Sequence, residues 1–152
     1  MRRLRGLVAL AAVLAAAVLM TACDTEEDGR AATAGLTMTP ELTDLADTDW
    51  VANEIVDPDR DLVAGTAVEI TFTATSLSAR AGCNTMNGSA TIDGTELVVG
   101  ALASTMMACE DPLAEQDAWL SSFLTSKPVI AWDGEEVWLT HDQTTLHLAP
   151  RD

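Results

Sequence analysis

The residues of this chain able to do chemistry are few. Cys83 and Cys109 come first. As free thiols they would do redox chemistry or hold a metal; as a bonded pair they would staple two loops together. There is no CxxC and no Cys/His pair at zinc spacing, so a staple is expected and no metal ligand is assigned. Closing a loop between positions 26 apart stabilises by about 3.5 kcal/mol on chain-entropy grounds. That is large beside the net stability of one small domain. Asp57, Asp59 and Asp61 alternate as in a calcium loop, but Leu62 and Val68 stand where such a loop needs glycine and an acid. An exposed turn is expected there. His141 and His147 are the only histidines. A catalytic triad needs one of them beside a nucleophilic serine, and the chain has no Gly-x-Ser-x-Gly elbow. Both are expected on the surface, and no catalytic residue is assigned. Met86, Met106 and Met107 could offer thioethers to cuprous ion; core filling is their commoner use, and no cofactor is expected. Asn84 and Asn87 could present amides to a ligand, but asparagine also suits tight turns, and that role is expected.

The third cysteine is set apart. Residues 1–5 read Met-Arg-Arg-Leu-Arg, and from Gly6 to Cys23 no residue is charged. A positive start, an apolar core and a small-residue end predict a signal peptide over residues 1–22. A transmembrane helix needs about 20 apolar residues, and this run is shorter. Its ending, Met20-Thr21-Ala22-Cys23, resembles the lipobox of bacterial lipoproteins, which makes Cys23 the lipidated residue. Met20 stands where leucine is usual. Two acyl chains, at about 0.8 kcal/mol per buried methylene, would hold the protein durably on a membrane. The rival is a plain secretory signal with an incidental cysteine. Export also places Cys83 and Cys109 in an oxidising compartment, where a pair bonds.

Charge narrows the partners. The chain has 8 basic and 24 acidic residues. Removing Arg2, Arg3 and Arg5 with the signal peptide leaves a formal charge of −19. Such a surface repels nucleic acid and anionic headgroups. The expected partners are a membrane, through the lipid anchor, and an envelope protein.

The positioning elements follow. Residues 23–44 are rich in Asp, Glu, Gly, Ala and Thr and lack aromatics; they read as a flexible acidic linker. The folded domain is placed at residues 45–149. Residues 50–56 read as a first strand. Val68, Ile70 and Phe72 alternate with Glu69, Thr71 and Thr73, the pattern of a half-buried antiparallel strand. Residues 77–80 are its short partner, and 81–88 a turn-rich loop. Asp93-Gly94 and Asp133-Gly134 predict hairpins, and His141-Asp142-Gln143 a third turn. Asp111 as N-cap and Pro112 at the first helical position open a helix. Leu113, Leu120 and Leu124 give it helical spacing, and Glu115 and Asp117 suit its dipole. The fold class is α+β: mostly antiparallel β, as a barrel- or roll-like sheet, with one helix packed against it.

Two motifs within this frame carry a family likeness. Gly82-Cys83-Asn84 with Gly88, and Ser104-Thr105-Met106-Met107-Ala108-Cys109 before a Glu-containing helix, resemble the META domain, the family of the heat-shock lipoprotein HslJ. Ser89 departs from it, since many members place an aromatic after that glycine. The resemblance implies a small β-rich domain, often on an envelope lipoprotein and linked to stress tolerance in some members, and implies no catalytic mechanism. The motif residues carried over are Gly82, Cys83, Asn84, Gly88, Thr105, Met106 and Cys109. The sequence therefore predicts a non-catalytic cell-envelope lipoprotein. One rival is a binding module for a protein or small apolar ligand that uses Trp119, Trp132 or Trp138. The other is a hydrolase with an unrecognised site.

Overall fold

A computed structural model describes residues 37–151. Cys23 and the expected signal peptide lie outside the described residues. Ten strands and one helix follow in chain order: β1 (Asp49–Ala52), β2 (Ile55–Val56), β3 (Val68–Phe72), β4 (Ser76–Arg80), β5 (Thr85–Asp93), β6 (Glu96–Val99), β7 (Ala103–Ser104), α1 (Asp111–Thr125), β8 (Val129–Trp132), β9 (Val137–His141) and β10 (Thr144–Pro150). Every strand pairing is antiparallel. The path β1-β3-β4-β5-β6-β8-β9-β10 returns to β1 through Trp50↔Pro150 and Val51↔Ala149. The sheet is thus a closed barrel of eight strands, with β2 against β10 and β7 against β5. Closure leaves the barrel strands no free edge, the hazard of an open sheet. The expected α+β, mostly antiparallel fold with one helix is the observed one.

Alternation fills the interior. Val68, Ile70 and Phe72 are all buried, as their period-two spacing predicts, and Leu77 and Ala79, Val137 and Leu139, and Leu146 and Leu148 repeat the pattern. The stretch expected as one strand over 50–56 is divided. Both pieces pair with β10, but Val51 faces Ala149 whereas Ile55 faces Leu146. The register slips by one residue across the bend at Asn53-Glu54, which is a bulge in one continuous edge. The turn-rich loop expected over 81–88 is shorter than that, because β5 begins at Thr85. This long strand serves three neighbours, β4 through Thr85–Ser89, β6 through Ala90–Asp93 and the short β7 through Met86 and Asn87.

The hairpin turns follow local chemistry. Asp93 pairs with Glu96, so Gly94 is the first central residue, at φ 60°. Glycine there is free of the Cβ clash that disfavours positive φ. Between β9 and β10, Asp142 takes φ 53°, a conformation aspartate tolerates better than most.

The packed part begins before residue 45. Met38 exchanges backbone hydrogen bonds with Trp132, at 2.7 and 2.8 Å. Leu42 and Leu45 are buried, and Leu45 carbonyl accepts the Trp50 indole N–H at 3.0 Å. Composition assigned 38–44 to the linker because one leucine among polar residues has no period; burial of that leucine in the barrel holds the segment down. The helix also starts one place early: Glu110, extended at ψ 148°, is its N-cap, without a side-chain cap bond, and Asp111 is already helical.

Candidate functional site

The motif residues meet at one place, between the loop after β4 and the segment that leads into α1. Cys83 and Cys109 lie at disulfide distance there, with Cα atoms 6.2 Å apart, inside the limit of about 7 Å for a bridge. Asn84 is the hub. Its backbone N–H and its side-chain Nδ2 both donate to Asp117 Oδ2, at 2.7 and 3.0 Å. Its Oδ1 accepts from the Thr105 hydroxyl and from the Met107 backbone N–H, both at 3.0 Å. Nδ2 also approaches Cys109 Sγ at 3.3 Å. Thr105 closes the arrangement by accepting the Thr85 N–H at 3.1 Å, while its own N–H donates to Thr85 carbonyl at 3.0 Å. The Asn84 amide thus has a partner for each of its atoms within the fold. The local turn expected of Asn84 is not what its side chain makes: its partners lie 21 to 33 positions away in the chain. Asn87 lies apart, exposed in β5 and paired in register with Ser78 and Ala103.

The helix supplies two residues that sequence reasoning missed. Gln116 and Asp117 are 3% and 5% exposed, on the face that also buries Leu120, Phe123 and Leu124. Expected only to suit the helix dipole, Asp117 takes backbone and side-chain N–H groups from the loop, including a long one from Cys83 at 3.5 Å. Gln116 Oε1 accepts the Val63 N–H at 2.6 Å, and its Nε2 donates to the Thr66 hydroxyl at 2.9 Å and to Ala81 carbonyl. Two polar residues at helical spacing from Leu120 blur the apolar stripe. The signal available in the sequence was their position: an aspartate beyond the first turn gains little from the helix dipole.

The glycines of the motif sit where backbone and neighbours close in. A Cβ at Gly82 would stand 3.0 Å from Leu113 Cδ2 and 3.4 Å from Gln116 Nε2, so the loop lies close on the helix and a side chain there would press on Leu113. At Gly88 a Cβ would stand 2.9 Å from Leu102 Cδ2 and 3.1 Å from Ala101 carbonyl. Ser89 pairs closely with Gly100, whose N–H donates to Ser89 carbonyl at 2.9 Å.

Cys83 and Cys109 Sγ and an Asp117 oxygen lie within 4.8 Å of one another, a spacing that a metal could bridge. Sulfurs bonded to each other would offer no thiolate, and the Asp117 carboxylate receives N–H groups from Asn84. The other expectations separate. Met86 is core, as expected, at 2% exposure; Met106 and Met107 are not, at 96% and 63%. Methionines so divided between core and surface do not form one soft-metal site. They escaped sequence reasoning because both motif methionines sit in a segment without period. Asp57 forms a turn: its carboxylate accepts the Asp59 N–H and the Thr144 hydroxyl. The Thr144 bond and then the Asp59 bond hold it below the ordinary carboxylate range.

His147 and His141 are surface groups, as expected. The His147 ring lies 2.8 Å from a Glu136 carboxylate oxygen and stacks on Trp138, with centroids 5.0 Å apart. Trp119 stacks on Phe123 beneath Arg60, at 5.8 and 5.7 Å, and Trp132 packs against the core. The tryptophans thus have three different surroundings.

Residues 43–152 match the META domain. The chain belongs to the META domain family. The match covers the barrel and the motif network together. Two solution structures are similar to this META domain in fold. One, of a protein from Burkholderia xenovorans, is 24% identical, with 72% of this chain and 86% of that chain covered and a TM-score of 0.57. The other is 21% identical, with 71% and 92% covered and a TM-score of 0.55. No curated protein matches the chain. Within the META domain, the family motif is therefore a clasp. It ties the loop after β4 to α1 and to the segment after β7. No helix among the described residues is long and apolar enough to cross a membrane.

Proposed function

We propose that this chain is a cell-envelope lipoprotein that presents a non-catalytic META domain outside the cytoplasm, anchored through acylated Cys23. The charge-free run ending in Met20-Thr21-Ala22-Cys23 supports the anchor. One observation carries the non-catalytic reading: the polar groups of the motif bond to one another, Asn84 with Asp117, Thr105 and Met107. Proton transfer to a substrate needs a group free to reach it. A role in stress tolerance agrees with the resemblance to the heat-shock lipoprotein HslJ. In cells, Cys23→Ser is expected to abolish acyl labelling and release the protein from membranes; retention through the first segment refutes the anchor. The purified protein is expected to be silent in esterase, peptidase, glycosidase and thiol-oxidoreductase screens. Saturable turnover lost on changing His141, His147 or Cys109 refutes the non-catalytic reading.

A second reading, a binding module for a protein or small apolar ligand, is favoured by a cleft of about 660 Å³. Trp50, Trp132, Ala149 and Pro150 line it together with Asp44 and Glu136. Mixed apolar and polar lining is the usual make-up of a ligand site. A ligand that shifts tryptophan fluorescence in the parent and not in Trp132→Ala would promote it.

A further inference from the structure

We infer that the Met106-Met107 tip is an oxidation site, whose thioethers accept oxygen from peroxides while the fold stays intact. Met106 is 96% and Met107 63% exposed, against 2% for Met86 in the core. A methionine in the open is unusual, since its apolar chain is most often used to fill gaps inside. Fraying does not account for this exposure. On one side Thr105 is tied to Thr85 and Asn84; on the other, Met107 N–H is held by Asn84 Oδ1 at 3.0 Å and Cys109 lies at disulfide distance from Cys83. Met106 therefore stands between two pinned residues with its side chain in water.

The chemistry needs only the sulfur and a two-electron oxidant. A thioether lone pair attacks one oxygen of hydrogen peroxide. The O–O bond breaks as the S–O bond forms, and the departing hydroxide takes the proton shed by the transferred oxygen and leaves as water. Sulfur gives up two electrons and the peroxide gains them. Hydrogen peroxide is uncharged, so the acidic surface does not exclude it. The product sulfoxide is polar. In a core it breaks packing; at position 106 the side chain has almost no packing to lose.

The test is a time course of the full chain with hydrogen peroxide, natively and in denaturant, read by peptide mass spectrometry residue by residue. Met106 is expected to oxidise natively within about twofold of its rate in denaturant, and Met86 at least about tenfold slower than in denaturant, because susceptibility follows exposure. The melting temperature of chain oxidised at Met106 and Met107 is expected to equal that of untreated chain. Protection of Met106, native oxidation of Met86 at its denatured rate, or a melting temperature that falls as Met106 oxidises would each overturn the proposal.

Discussion

Asp117 and Asn84 stand 33 positions apart in the chain, yet the carboxylate of one receives both the backbone N–H and the side-chain amide of the other, at 2.7 and 3.0 Å. This pair joins the second turn of α1 to the loop after β4. It also aligns the Asn84 side-chain Oδ1 to accept from the Thr105 hydroxyl and the Met107 N–H. Removing the Asp117 carboxylate leaves the part-buried N–H groups of Asn84 without their acceptor.

Asp117→Ala is therefore expected to cost about 2–4 kcal/mol, the penalty for stranding those N–H groups. Asn84→Ala should cost less, and the double variant less than the sum, because the two share the same bonds. Denaturant unfolding of the three variants measures this. A loss for Asp117→Ala no larger than that of an ordinary surface change would contradict it.

The Cys83–Cys109 bond is expected to be present in the exported protein and to show as one linked peptide in unreduced mass spectra. Replacing both cysteines by alanine should cost roughly 3.5 kcal/mol, the value of the chain-entropy expression. The Asn84–Asp117 clasp does not offset this, because its hydrogen bonds form only in the folded state and leave the unfolded chain unrestrained. Two alkylatable thiols in native exported protein would reject the bond.

Gly88→Ala places a methyl 2.9 Å from Leu102 and 3.1 Å from Ala101 carbonyl. Because one contact is backbone, relief requires β5 or the segment at Ala101 to shift, and a loss of about 1–3 kcal/mol is expected. Gly65→Ala is a useful contrast, for a Cβ there meets nothing within 4 Å and only its φ of 81° resists. A melting temperature for Gly88→Ala equal to the parent's would show that the close approach is not required.

Acid should weaken the β8–β9 turn. Asp133 Oδ1 accepts the N–H groups of Glu136 and Glu135, at 2.8 and 2.9 Å. Those two bonds hold its carboxyl below the ordinary range. A folded value lower than the unfolded one means stability that is complete above the unfolded value of about 3.9. That stability is lost as pH falls through the folded value. Asp57 adds to the same window. Asp133→Asn keeps an acceptor oxygen but cannot titrate. Its melting temperature should fall less than the parent's on acidification below about pH 4. Identical acid profiles would remove Asp133 from the account.

By itself the sequence determined what neighbours along the chain decide. Alternation placed Val68, Ile70 and Phe72 on one face, since successive strand residues point to opposite sides. The turns at Gly94, Gly134 and Asp142 followed from the φ each residue can adopt, and the motifs of Gly82 to Gly88 and Thr105 to Cys109 identified the family. Tertiary structure alone decided the rest. The inward turn of Gln116 and Asp117 depends on how α1 is rotated against the loops it packs on, and their polarity hides the stripe that would reveal it. Closure of β1 on β10, Trp50 facing Pro150, joins opposite ends of the domain that no local pattern links. Leu42 is buried although its polar surroundings read as tether, and Met106 is exposed although its type reads as core. Burial is a property of the space around a side chain. That space is set by residues far away in sequence.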